Sequence, residues 1–552
     1  PTRKVAAQMI IRTLLAVILL GTAIARADTT SERLLKQDID RQEQERRDRR
    51  WDEPRTSTPL PAPELEGASG QPASDTCFSI REIHVTQAQI LPAKPLARLI
   101  AAYEGRCLSS SDLQALQQGM NSLALSRGLV TTRVVIPEQN LSSGILQLEV
   151  WPGHMEAATL NSPYRMELEA ALPLSNGDVL NLRALEQAID NLNRLESLQA
   201  SVELRPGEKP GGSIAAFTVN RLQPWHLAAV WDSEAMEQHP VNTARASLTL
   251  DSPLKLADRL IVGANATVRG TEVDNAYGGS IDYDAPIGWW RIAVGADQFE
   301  YRNPITSGLT TFVSSGKSQS IRAEVSRVVW RDNKHRLNIA LLGKQRINNN
   351  YIDSIAIGVS TSRLKAMGLR ADISRVAAPW VMDASLSAEQ GEARTLAMPS
   401  PVDADYSRVI ANTRLQYHWK KSSLSWSVSG QWSDSILLPS EQYALAGNIK
   451  GFSPLSLNAA TGMASRVEWA RPFFFDWKEF KTIRLQIGAE LGWAPAASGN
   501  ISEEQLTAVT MGVIAPWKKM VIQLQVAAPL EFNSTQNAIS DCQMDANVSI
   551  RW

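Results

Sequence analysis

Glu490 is the side chain whose setting most asks for a partner. It stands in Gly488-Ala489-Glu490-Leu491-Gly492, within a stretch from Thr482 to Trp493 where polar and apolar residues alternate strictly. Successive strand residues point to opposite faces, so Gly488, Glu490 and Gly492 share the polar face. Glycines on both sides of a carboxylate clear the space that side chains would fill, as a wall must where another segment approaches closely. The long segment 439–462 supplies a cation for it, Lys450, in Ile449-Lys450-Gly451-Phe452. Gly451 permits a tight tip and Phe452 an apolar wedge. The expected chemistry is a charge-paired contact between loop and wall, Lys450 to Glu490, with a solvated loop lysine as the plain alternative.

Catalytic constellations do not accompany it. His84, His154, His226, His239, His335 and His418 are scattered without metal-ligand spacing. There is no HExxH, GxSxG, phosphate loop or paired-cysteine zinc site. No enzyme, cofactor or metal is expected. With 56 basic and 57 acidic residues the charge balances, so nucleic acid is not an expected partner. Of three cysteines, Cys77 and Cys107 flank one short strand-and-helix unit and are expected to pair in an oxidising compartment. Two buried thiols are the alternative, and Cys542 is left over.

The elements that must position these residues follow in order. Arg3 and Lys4, an apolar run from Leu14 to Leu20 and Ala25-Arg26-Ala27 read as an export signal over 1–27. Residues 28–52 are helix formers and charges recurring at three- and four-residue spacing. They form either a free tail or a helix lodged in water, such as a polar lumen. Prolines and glycines make 53–76 a linker. A strand, two helices and two strands then occupy 77–153: Cys77–Gln87, Pro95–Tyr103, a helix capped by Ser110 and Ser111, Val130–Ile136 and Ile145–Val150. The same βααββ order repeats over 154–221, with Asn181 capping a helix from Leu182 to Leu195. The strand after the second helix of each copy is a candidate edge for an extended polypeptide.

From 222 to 552 the alternation continues. About 330 residues, at roughly 20 per strand with its turn and loop, make about 16 antiparallel strands of a membrane β-barrel. Counting back from Trp552 on the periplasmic side places 531–542, 494–503 and 439–462 outside. The turns near Pro516 and Asp476 then lie inside. On this topology the polar face of 482–493 lines the lumen.

The chain resembles a two-partner secretion outer-membrane transporter, the TpsB group (haemolysin/adhesin secretion-activation type) of the POTRA-barrel assembly superfamily. Residues 77–153 resemble its first polypeptide-transport-associated (POTRA) domain in Cys77-Phe78, Cys107-Leu108, Gly128 and Ile136-Pro137-Glu138-Gln139. The segment from Ser440 to Phe452 is similar to the family's sixth external loop, which carries Val-Arg-Gly-aromatic at its tip. Gly488 to Gly492 resembles the Gly-x-Asp-x-Gly strand motif that receives the loop arginine. The chain departs at Ala446 for a glycine, Lys450 for arginine and Glu490 for aspartate. Lysine lacks the planar two-bond fork of arginine, so a looser lock is expected.

The resemblance implies a monomer in the lipid of the bacterial outer membrane, with both POTRA domains in the periplasm. It would secrete a large exoprotein of the haemolysin, adhesin or contact-dependent toxin type, recognised through that partner's N-terminal secretion domain. The helix at 28–52 would plug the pore at rest. Recognition is expected on helix 110–127 and strand 130–136, through Leu116, Met120, Val130, Val134 and Ile136. A barrel-assembly insertase is the alternative function.

Overall fold

A computed structural model describes residues 36, 38–52, 77–234, 241–268, 275–307, 310–358, 361–395, 403–452, 457–475, 482–495, 503–533 and 542–552. The expected signal at 1–27 and linker at 53–76 lie outside the described residues.

Helix α1 spans residues 38–52. The first βααββ unit follows, and its opening strand is broken. β1 (Cys77–Ile80) pairs with β3 (Arg106–Ser109), a strand the sequence pattern did not suggest. β2 (Glu82–Thr86) pairs in parallel with β5 (Ile145–Trp151), which pairs on its other side with β4 (Arg133–Val135). Helices α2 (Ala93–Ala101) and α3 (Ser110–Ser126) cover this sheet. The α3 cap is Ser109, one residue earlier than expected, in a reciprocal box with Asp112. Cys77 and Cys107 are joined in a disulfide, their Cα atoms 5.4 Å apart. It closes a separation of 30 residues, a constraint worth ~3–4 kcal/mol against the unfolded chain.

The second unit comprises β6 (His154–Leu160), α4 (Arg165–Ala171), α5 (Leu182–Asn193), β7 (Leu198–Pro206) and β8 (Gly212–Arg221), with sheet order β6-β8-β7. Asn181 caps α5 by accepting from the Arg183 amide at 2.8 Å. One face of α5 carries the expected leucines, yet Glu186, Gln187, Asp190 and Asn191 on the other are buried too. That polar face docks on the barrel's periplasmic turns. Arg331 reaches Asp190 at 2.7 Å and Gln187 at 2.9 Å, and Asn191 donates to the Gly288 carbonyl at 2.9 Å.

The barrel opens with β9 (Trp225–Glu234), β10 (Val241–Asp251), β11 (Arg259–Val268) and β12 (Asn275–Ile287). β13 (Trp290–Ser307), β14 (Thr310–Arg331), β15 (His335–Ile352), the two-residue β16 (Ile355–Ala356) and β17 (Ser362–Ala377) follow. Next come β18 (Trp380–Thr395), β19 (Asp403–Trp419) and β20 (Ser422–Trp432). The long external loop holds β21 (Tyr443–Ala444) and β22 (Asn458–Ala459). β23 (Gly462–Phe474), β24 (Thr482–Ala494), β25 (Glu504–Trp517), β26 (Met520–Asn533) and β27 (Gln543–Arg551) complete the ring, and β27 pairs with β9. Leaving out β16, β21 and β22, sixteen antiparallel strands close, so no edge is left to the lipid.

Alternation sets the two faces. Ile321 and Val325 of β14 and Ile487 and Leu491 of β24 face outward, while Ser320, Arg370 and Glu490 are buried inward. At the periplasmic ends of β18 and β19, Trp380 lies tilted against Tyr417 with centroids 4.5 Å apart, and Tyr417 stacks on Trp419 at 5.7 Å, an interfacial aromatic belt.

Candidate functional site

Of the segment between β20 and β23, the described residues 437–452 do not stand out from the surface. They turn into the barrel, and Leu445, Ile449 and Phe452 bury against Ala464 of β23, Ala494 of β24, and Leu506 and Ala508 of β25. Apolar residues of a polar lumen gather here because the loop supplies the other half of their core. Phe452 is fully buried, and Gly451 adopts φ +90°, a backbone state that side chains rarely take.

Glu490 meets this tip in a different way from the expected ion pair. The backbone N–H of Lys450 donates to Glu490 Oε2 at 2.6 Å. The lysine ammonium turns away and donates to Gln525 of β26. The cation beside Glu490 is Arg466 of β23, its cross-strand neighbour, with Nε 2.7 Å from Oε1. That approach is not aligned as a hydrogen bond, and both atoms lack a hydrogen-bond partner among the described residues. Gly451 N–H donates to Gln543 of β27 at 3.1 Å. The tip is therefore held by main-chain donors on β24 and β27 and by the lysine ammonium on β26, and the side-chain charge of Lys450 is not what reaches Glu490.

The two glycines differ. A Cβ on Gly492 would lie 2.9 Å from Ile449 Cγ1 and 3.1 Å from Leu445 Cδ1, so its hydrogen makes room for the loop. A Cβ on Gly488 would meet Thr510 Oγ1 at 2.7 Å, a contact within the wall and not with the loop. Arg466, Gln525 and Gln543 were not singled out in the sequence. Arg466 lies in alternating sequence of its own, but its place opposite Glu490 depends on strand register.

Helix α1 occupies the lumen below the loop. Lys36 Nζ reaches the Ser440 carbonyl at 3.4 Å, Arg47 donates to Asn412 of β19, and Asp52 lies 2.8 Å from Arg414. Glu45 and Arg49 stand 3.9 Å and 3.6 Å from Arg245 and Asp282. The three ion pairs, of Asp52, Glu45 and Arg49, are long or partly exposed.

The expected recognition residues of the first unit are corrected. Leu116, Met120 and Val134 belong to its own core, and Val130 is buried against the core of the second unit. Ile136 is half-buried. The outward edge of β4 is also taken, since Val134 N–H donates to Asn121 Oδ1 at 2.9 Å and its carbonyl accepts from Gln117 Nε2 at 2.7 Å. An edge capped by its own helix offers nothing to an incoming strand.

In the second unit β7 differs. Asn193 caps only Ala200, accepting from its N–H at 2.6 Å and donating to its carbonyl at 3.1 Å. Outward groups alternate along an antiparallel strand, so Val202 and Leu204 aim theirs the same way. Among the described residues β7 pairs only with β8, leaving that edge open from Val202 onward.

Comparison with known proteins places this architecture. Residues 78–153 match the ShlB-type POTRA domain and 154–206 a POTRA domain. The outer membrane transporter CdiB of Dickeya dadantii is 28% identical over 386 residues, covering 68% of this chain and 69% of that protein. The hemolysin transporter protein ShlB of Serratia marcescens is 24% identical over 473 residues, 83% of each. The solved CdiB of Escherichia coli shares the fold with a TM-score of 0.81 at 21% identity, covering 95% of this chain and 99% of that one. Residues 211–515 match the haemolysin secretion/activation proteins ShlB/FhaC/HecB, and the chain belongs to that family.

Proposed function

We propose that this outer-membrane transporter secretes one large exoprotein through its barrel, receives it on the open edge of β7, and is kept closed by the tip contact at Glu490. Its localisation and its two-partner secretion function rest on the family. The observation that carries the finer reading is the join of three parts. A closed sixteen-strand barrel contains both a charged helix and an inward loop, and a two-unit periplasmic module is fixed to its mouth. A passive solute pore has no need of the module.

The partner would approach unfolded and pair with β7 as an added strand, main-chain bonds giving affinity without demanding one sequence. It would then displace α1, whose ion pairs with the wall are long or partly exposed and so individually weak. Lys450 and Gly451 hold the loop tip by their amides, with Phe452 and Gly492 shaping the contact. Release of that tip would widen the conduit.

Cells producing the chain with the exoprotein encoded beside it should release or display that exoprotein. Cells lacking the chain should retain it in the periplasm, where it is degraded. Equal surface display in both would overturn the assignment of that partner.

A further inference from the structure

The tip contact fastens the loop to one side of the barrel, at β24, β26 and β27. On the limb descending from β20, Glu441 makes a second and denser attachment. Its side chain is 1% exposed. Oε1 accepts from Arg346 Nη1 at 2.8 Å and Oε2 from Lys344 Nζ at 2.6 Å. Arg408 Nη2 lies 2.7 Å from Oε2. The carbonyl oxygen of the same residue accepts from Arg408 Nη1 at 2.7 Å and from Gln431 Nε2 at 2.9 Å.

The wall around it is not neutral by itself. Lys344 of β15 and Arg408 of β19 share one wall carboxylate, Glu389 of β18, at 3.0 Å and 3.1 Å, and Arg346 of β15 adds a third cation. Three cations facing one wall carboxylate in a mostly buried place is an unfavourable arrangement; Glu441 of the loop supplies a second carboxylate, and Glu43 of α1 attracts Lys344 and Arg408 as a third. This attachment runs over β15, β19 and β20 and the tip contact over β24, β26 and β27, so the two lie on separate arcs of the ring. Beside it, the Ser440 carbonyl accepts from Lys36, just ahead of α1, which also bridges to Asp40 of that helix at 2.7 Å.

We propose that Glu441 is a positioning residue for transport: a second pin that holds the loop to an arc of the wall separate from the one that holds its tip. The loop then spans the lumen between these two arcs as a strap, and Lys36, just ahead of α1, meets it at the pinned end. The proposal relies on the conduit reading only for its consequence in secretion, because the pin can be read directly.

Full-length Glu441→Gln protein in lipid nanodiscs is compared with the parent by amide hydrogen exchange. Exchange over residues 437–449 should rise about tenfold, strands β10–β12 should stay unchanged, and the barrel should keep its heat-resistant migration. Glu441→Asp should keep most of the protection. Arg346→Gln, a milder change should Glu441→Gln fail to assemble, should raise exchange at the same peptides by less. Secretion should fall in the same order as protection is lost. Unchanged exchange over 437–449 in an assembled barrel would overturn the pin, and so would an equal rise throughout the barrel. Raised exchange with undiminished secretion would overturn its role in transport. A parent chain that secretes nothing would count against the conduit reading alone.

Discussion

Glu490 accepts a main-chain N–H from Lys450 and lies against the guanidinium of Arg466, so its carboxylate serves both loop and wall. A hydrogen bond to a charged group is worth about 1.5–3 kcal/mol, and the acceptor here has no exposure to water. Glu490→Ala should cut the exoprotein recovered from the medium several-fold. Lys450→Ala keeps its backbone N–H and should secrete close to the parent level. Exchanging charges between positions 450 and 490 should not rescue either single reversal, whereas Arg466→Glu with Glu490→Arg should exceed both of its singles. Rescue through Lys450 would refute this division of roles. The glycine–carboxylate–glycine pattern was legible because alternation alone assigns its face. Arg466 was not, because a cross-strand neighbour follows from register, and a slip of one residue changes every pair.

Among the elements, the periplasmic units were legible in order and less so in their edges. Helix α3 and its cap could be placed within a residue from a serine run before an apolar period. Its buried face could not be told from a binding face, because Leu116 and Met120 are as suited to a core as to a partner. The carboxyl of Asp112 is held below the usual aspartate range by hydrogen bonds from the Ser109 hydroxyl and amide. A folded pKa below the unfolded one adds stability that is present above the ordinary aspartate range and is lost as pH falls through the folded value. Exchange at the start of α3 should therefore quicken toward acid in the parent. Asp112→Asn should flatten that dependence, and an unchanged acid limb would show that the cap does not titrate there. For β7, Val202→Pro removes an N–H that faces away from β8 and spares the ladder. The variant in the full chain should lose binding to the exoprotein's N-terminal domain, measured by calorimetry, while the fold persists. Retained affinity would move recognition off this edge.

At the scale of the whole molecule, the strand count and the barrel were readable because a lipid-facing sheet must alternate and must close. The docking of α5 on the barrel was hidden, since its polar face looks solvated until Arg331, far along the chain, is brought against it. Placement of α1 also depends on distant partners. Beyond Ile39, which buries against Ala276, Phe299 and Tyr301, the helix presents charges, and these suit a polar lumen where Asp282, Arg245 and Arg414 face them. Such long or partly exposed pairs are each worth only ~0–1 kcal/mol and are screened by salt, so the helix is held by many weak contacts. Deleting residues 28–52 should raise the single-channel conductance of the chain in planar bilayers while the barrel stays heat-resistant. In the intact chain, raising ionic strength should increase the time spent open beyond what bulk conductivity explains, and the deleted chain should show no such increase. A conductance unaltered by the deletion would mean that α1 does not obstruct the pore. An open time that ignores salt would mean that something other than these ion pairs holds it there.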